Sequence, residues 1–218
     1  MKKALLVLVA CALVVVATAN AARDPRLETL ALKPADVRLA KLGTVKLSDL
    51  GSGWKSDPTS TMSEQAPDCP GYRPDFSRFT ITGAASSNFS AQRGALSIVS
   101  HTEVYATKDD ARGDFALSTL PPVARCLGIM IERDTPTGNG FTAKVLSSRR
   151  VAAPRVGDRS AAYRIVTELA QGGRSVKVFS DVVVVLRGGS IGGVFFTGVV
   201  QPVADQPRIA GRMAARLR

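Results

Sequence analysis

The sequence is poor in the residues that most metal and hydrolytic chemistry needs. It has one histidine, three cysteines and one tryptophan, and 6% of its residues are aromatic. A single imidazole excludes the multi-histidine metal sites. Any enzyme built on an imidazole base would have to use His101. Acidic residues are scarce too: 18 Asp and Glu face 29 Lys and Arg, for a formal charge of +11. What is plentiful is ordinary globular material, 45% hydrophobic and 22% charged. That balance excludes a disordered chain, a collagen and a coiled coil. The one long apolar run, Ala4 to Val16, is short of the roughly 20 residues that span a bilayer.

That run has the layout of a secretory leader. Lys2 and Lys3 precede it, and Ala19-Asn20-Ala21 supplies the small-x-small cleavage pattern. The sequence therefore predicts a signal peptide over residues 1–21, a flexible lead-in over 22–33 and one domain over 34–218. Leu8-Val9-Ala10-Cys11 resembles a lipobox, but Cys11 lies early and more apolar sequence follows it, so plain export is the expectation. Loss of Lys2 and Lys3 with the leader lowers the formal charge from +11 to +9. Such a surplus favours anionic partners, and in the envelope these are phospholipid headgroups and wall polymers rather than nucleic acid. Cleavage leaves Cys69 and Cys126, an even pair for an oxidising compartment, which predicts a disulfide. The chain-entropy model values such a bridge at on the order of 4 kcal/mol.

Pro34 can open a short helix that Gly43 ends. Gly51 to Tyr72 is rich in Gly, Pro, Ser and Asp and reads as a long loop, pinned by Trp54 and Cys69. Phe79 and Ile81 alternate with threonines, and Leu96, Ile98, Val104 and Ala106 share a face, giving two strands. Thr107 caps a helix with Asp109 and Asp110 in its first turn, running to about Asp134 and broken at Pro121-Pro122. Val123, Cys126, Leu127, Met130 and Ile131 make its apolar stripe. Strands follow around Phe141 to Val145, Ala161 to Leu169, Val176 to Leu186 and Ile191 to Val200. Gln171-Gly172-Gly173 and Gly188-Gly189 are hairpin turns between them. Val176 to Leu186 is apolar enough to be central and buried on both faces. Asp205 opens a last helix with Ile209, Met213 and Leu217 inward. Without βαβ alternation, the fold class is α+β: a curved antiparallel sheet with helices packed mainly on one face, and one disulfide.

Two motifs fail on context. Gly188-Gly189-Ser190-Ile191-Gly192 matches G-x-S-x-G, but strand follows where an elbow needs helix, and no histidine lies downstream. Gly138-Asn139-Gly140-Phe141-Thr142-Ala143 matches a relaxed dinucleotide fingerprint, but it opens a strand. Neither a cofactor nor a metal is expected. By alternation His101, Glu103 and Tyr105 share one strand face and could line a groove. With Trp54 they are candidate ligand contacts, and Arg149, Arg150 and Arg164 are available for an anionic group. Arg208, Arg212 and Arg216 form an i, i+4, i+8 stripe on the last helix, a candidate surface for anionic lipid or wall polymer.

Several segments together look familiar: Leu50-Gly51-Ser52-Gly53-Trp54, Phe79 to Ala84, Val104-Tyr105 leading to Ala124-Arg125-Cys126-Leu127, Val156 to Ser160, and the Val-rich hairpin before the last helix. They resemble the extracellular sensor domain of the actinobacterial kinase PknH and related small lipoproteins. The resemblance implies an α+β domain with a disulfide-braced sheet and a cleft for a ligand. This chain differs in having one cysteine pair, no kinase domain and no membrane helix after cleavage. The expected function is an exported, non-catalytic, sensor-like domain of the cell envelope that holds a small or polymeric ligand. The alternative is an envelope-docking protein acting through its basic last helix, with a hydrolase third.

Overall fold

Two-residue periodicity builds the largest share of the regular structure. In a computed structural model, residues 24–57, 66–135, 141–199 and 202–218 are described. The segment expected to be a leader, with Cys11, and the Gly138–Gly140 motif lie outside them. Eight strands are present: β1 (Thr29–Leu30), β2 (Lys55–Ser56), β3 (Thr80–Ala91), β4 (Leu96–Tyr105), β5 (Phe141–Val151), β6 (Arg159–Gln171), β7 (Arg174–Arg187) and β8 (Ser190–Val199). They form one open sheet in the order β1-β3-β4-β8-β7-β6-β5, with β2 also against β3. Every pairing is antiparallel except the two-residue β1 on β3. Gly172 and Gly173, at φ 58 and 76, make the tight turn between β6 and β7. That conformation matches the right-handed strand twist and needs positive φ at both residues. Ser190 follows the second hairpin turn and starts β8, so the G-x-S-x-G segment is a turn.

Among the described residues four helices accompany the sheet: α1 (Pro34–Gly43), α2 (Lys108–Ser118), α3 (Val123–Asp134) and α4 (Gln206–Arg216). The Thr107 side chain accepts from the Asp110 amide and caps α2. Pro121-Pro122 separates α2 from α3, and their axes differ by 72°. No single helix among the described residues is long and apolar enough to cross a membrane. With 42% strand and 28% helix, the α+β class holds, and so does the disulfide between Cys69 and Cys126, whose Cα atoms lie 5.5 Å apart.

The helices divide between both faces of the sheet instead of gathering on one. On one face α2 and α3 cover Tyr105, Tyr163, Ile165, Val182 and Leu186, with Phe115 and Cys126 from the helices. On the other, α4 lays Ile209, Met213 and Leu217 on Ile98, Val183, Val185, Val194 and Phe196. There α1 joins α4 and packs on β3 and β4. The disulfide ties the loop before β3 to α3, and Tyr72 donates from its hydroxyl to the Leu117 carbonyl at 2.9 Å. Phe79 reaches α2 through a gap at Gly113, where a Cβ would meet its ring at 2.5 Å.

The lead-in is held rather than flexible over its described part. Thr29, Ala31 and Lys33 donate their amides to the carbonyls of Phe79, Ile81 and Thr82 at 2.7–2.9 Å. This strap delivers α1 against β3 so closely that a Cβ on Gly83 would stand 2.3 Å from the Asp36 carbonyl. Both sides of that contact are backbone and cannot swing away. Gly83→Ala is expected to cost about 3 kcal/mol through overpacking, read as a lowered urea midpoint with an unchanged m-value.

Candidate functional site

The sequence candidates fall on opposite faces of the sheet and do not form one site. His101, Glu103 and Tyr105 lie on the α2/α3 face, as their alternation predicts. His101 Nε2 is 2.9 Å from Glu103 Oε1. The Tyr105 hydroxyl lies 2.6 Å from Glu103 Oε2 and 2.8 Å from Asp114 Oδ2 on α2. Asp114 also accepts from the Ser118 hydroxyl at 2.9 Å and is hydrogen-bonded by Glu28. The row is thus a chain of ionisable groups linking strand, helix and lead-in.

Proton counting sets the charges in that chain. A phenol has one proton to donate and here faces two carboxyl oxygens, so one carboxyl must carry a proton for both contacts to be hydrogen bonds. Burial and the neighbouring Glu103 and Glu28 push the Asp114 pKa well above the carboxylate range. Burial also works against the Glu103 anion, but the hydrogen bond and charge of His101 outweigh it, with help from Tyr105, and its pKa falls. The arrangement thus favours the anion at Glu103, beside His101, and the protonated form at Asp114, beside Glu103 and Glu28.

The cleft lies on the other face, past the start of α4. It has a volume of about 520 Å³ and sits between β5, β6, β7, the segment after β5 and the first residues of α4. Its polar groups are Arg149, Arg164, Asp181 and Gln206. Asp181, with 3% of its side chain exposed, receives Arg164 Nε at 2.6 Å on Oδ1 and Nη2 at 2.9 Å on Oδ2. Gln206 Nε2 donates to the same Oδ2 at 2.6 Å and to the Val203 carbonyl at 3.0 Å. Arg149 stands directly across from Arg164 in the β5–β6 register. It makes no hydrogen bond or ion pair among the described residues. Arg150 is paired with Tyr163 and points to the α2/α3 face. Trp54 is half-buried at the margin of the α4 core.

The basic stripe of α4 lies against the turn after α1, with Arg216 half-buried and Arg208 and Arg212 still exposed. Arg216 spans the Leu42 and Thr44 carbonyls, both at 2.9 Å, and both oxygens of Asp49, at 2.6 and 3.1 Å. Arg208 donates to the Asp49 carbonyl at 2.9 Å, and Arg212 to the Ser48 carbonyl at 3.2 Å. These three guanidinium groups bind the turn after α1, where the sequence pattern had suggested a free cationic surface. Burial of Asp49 is outweighed by Arg216 and the Lys46 amide, which hold its pKa below the ordinary value.

The most informative polar residues were outside the sequence candidates, though each left a trace. Asp181 interrupts the apolar run of β7, where a lone carboxylate demands a buried partner. Asp114 falls between Ala111 and Phe115 on the buried stripe of α2. Asp49 and Gln206 left no such signal.

No family model matches the chain, and no curated protein does. Among solved structures, an X-ray structure of an uncharacterized Mycobacterium smegmatis protein (Rv0999 ortholog) is similar over 83% of this chain and 95% of its own. The identity is 12% and the TM-score 0.39.

Two outcomes follow from the buried carboxyls. Asp114→Asn keeps a neutral donor at the Tyr105 contact and is expected to leave stability near the native value, whereas Asp114→Ala is expected to cost about 2 kcal/mol. Because the Asp114 pKa is raised on folding, its contribution is present at low pH and disappears as pH rises through the folded value. Urea unfolding of the native protein should show that loss, and Asp114→Asn should remove it. Asp49 behaves oppositely: its contribution is present above the unfolded carboxylate pKa of about 3.9 and disappears as pH falls through the lowered folded value. Arg216→Met leaves Asp49 uncompensated and is expected to cost about 3 kcal/mol at neutral pH, with a flatter acid limb in the same measurement.

Proposed function

We propose that the protein is an exported, non-catalytic binding domain of the cell envelope that holds a small ligand in the cleft between β5–β7 and α4. The observation that carries this reading is the cleft itself: about 520 Å³, within the range of small-molecule sites, with mostly apolar walls and a few convergent polar groups. Export is supported by the leader pattern of residues 1–21, and the Cys69–Cys126 bridge is consistent with an oxidising compartment. The resemblance to sensor domains with a ligand cleft points the same way.

The second reading, docking on anionic lipid or wall polymer through α4, has less to support it. Arg208, Arg212 and Arg216 already hold Asp49 and nearby carbonyls, so an external anion would have to displace internal contacts. Native mass spectrometry of the gently purified protein separates the two. A non-covalent added mass is expected, and it should vanish in Ala152→Trp, which fills the cleft from an exposed position. A protein without added mass, or a mass that the tryptophan leaves in place, would overturn the cleft reading.

A further inference from the structure

We infer that the cleft takes an amphiphilic anion, a carboxylate or phosphate head on an aliphatic body; this rests on the proposed role of the cleft as a ligand site. Three features select that class.

The first is charge. Arg149 and Arg164 are direct cross-strand partners, an arrangement that destabilises a sheet when both carry the same sign. Asp181 neutralises one of them through a two-pronged contact. Arg149 has no counterpart among the described residues, so the charged lining of the cleft sums to one excess positive charge. An anion at this place is paired with Arg149 and relieves the repulsion between the two strands.

The second is preorganisation. Nε and Nη2 of Arg164 are committed to a carboxylate that is almost fully buried, and Gln206 holds that carboxylate from the other side. Arg164 is therefore fixed in orientation, with Nη1 uncommitted. A planar guanidinium held in place beside a second one without a described partner suits the oxygens of carboxylate or phosphate.

The third is what the walls lack. Val151, Ala153, Pro154, Ala162 and Val183 contribute aliphatic surface. Tyr163, the one aromatic residue at the cleft, is 1% exposed and packs in the core of the opposite face. No ring is presented for stacking, which is how bases and aromatic groups are usually gripped. The apolar part of the ligand is then an alkyl chain or a comparable saturated body.

The test compares four probes that share one alkyl chain: decanoate, decyl phosphate, decanol and decylamine. Each is titrated calorimetrically into the oxidised protein below its micelle concentration. Decanoate or decyl phosphate should bind, and the stronger of the two identifies the head group. Decanol should bind at least about tenfold more weakly, and decylamine more weakly still, because neither satisfies Arg149. Arg149→Gln should reduce the affinity for the anions by about tenfold without lowering the melting temperature of the free protein. Arg150→Gln, on the other face, should leave binding unchanged. Ala152→Trp should abolish it. If decanol binds as well as decanoate, or Arg149→Gln leaves anion affinity intact while Ala152→Trp still blocks the site, the anion inference falls and the cleft reading stands. If none of the probes binds, or if binding survives Ala152→Trp, both fall.

Discussion

The structure depends on β7 having to be buried on both sides. Val182 and Leu186 belong to one core, and Val183 and Val185 to the other. All four are at most 3% exposed. A strand of that composition cannot sit in a sheet with one wet face, because every second residue would return apolar surface to water. The rest of the chain meets that demand. Helices α2 and α3, with the disulfide-tied loop, cover one side, and α1 with α4 covers the other. The central place of β7 between β6 and β8 follows from the same requirement.

Polar contacts then fix how the covering layers lie. On one side α2 is joined to β4 and the lead-in through Asp114, Tyr105 and Glu28, a join that works because a proton is shared. On the other, Arg216 joins α4 to the turn after α1 by charge, and the Arg218 carbonyl accepts from the Gly189 amide and the Ser190 hydroxyl. These contacts add orientation to layers whose burial is already favourable. They differ in their response to pH, because folding raises the pKa of Asp114 and lowers that of Asp49.

The cleft is where the covering layer stops. α4 packs on β7 and β8, and the outer strands β5 and β6 extend beyond it. At that boundary a buried carboxylate on β7 meets the Arg164 guanidinium from β6 and the first residue of α4, with Arg149 of β5 beside them. The site is thus an edge of the fold's own packing, which explains why its walls are small aliphatic residues and its polar groups come from four separate segments.

Much of this was legible in the residues alone. The positions of the long strands follow from alternation, the start of α2 from Thr107, the break before α3 from two prolines, and the tight turn from two glycines, because each of these is dictated within a few residues; the full lengths of β3 and β5, to Ala91 and Val151, and the short β2 were not legible. Alternation also separates Arg149 from Arg150: as neighbours on one strand they face opposite ways, so they could never have shared a site. The face on which a helix lands was not legible, since an apolar stripe shows that a side is buried and says nothing of what buries it. The stripe of Arg208, Arg212 and Arg216 reads as outward-facing for the same reason, until folding brings the turn after α1 against it. By itself the sequence determined the class of fold, the pairing expected of Cys69 and Cys126 and the absence of multi-histidine chemistry, all of which depend on local pattern and composition. Only the tertiary structure decided which charges are spent internally and which remain free, because that depends on contacts between residues far apart in the chain.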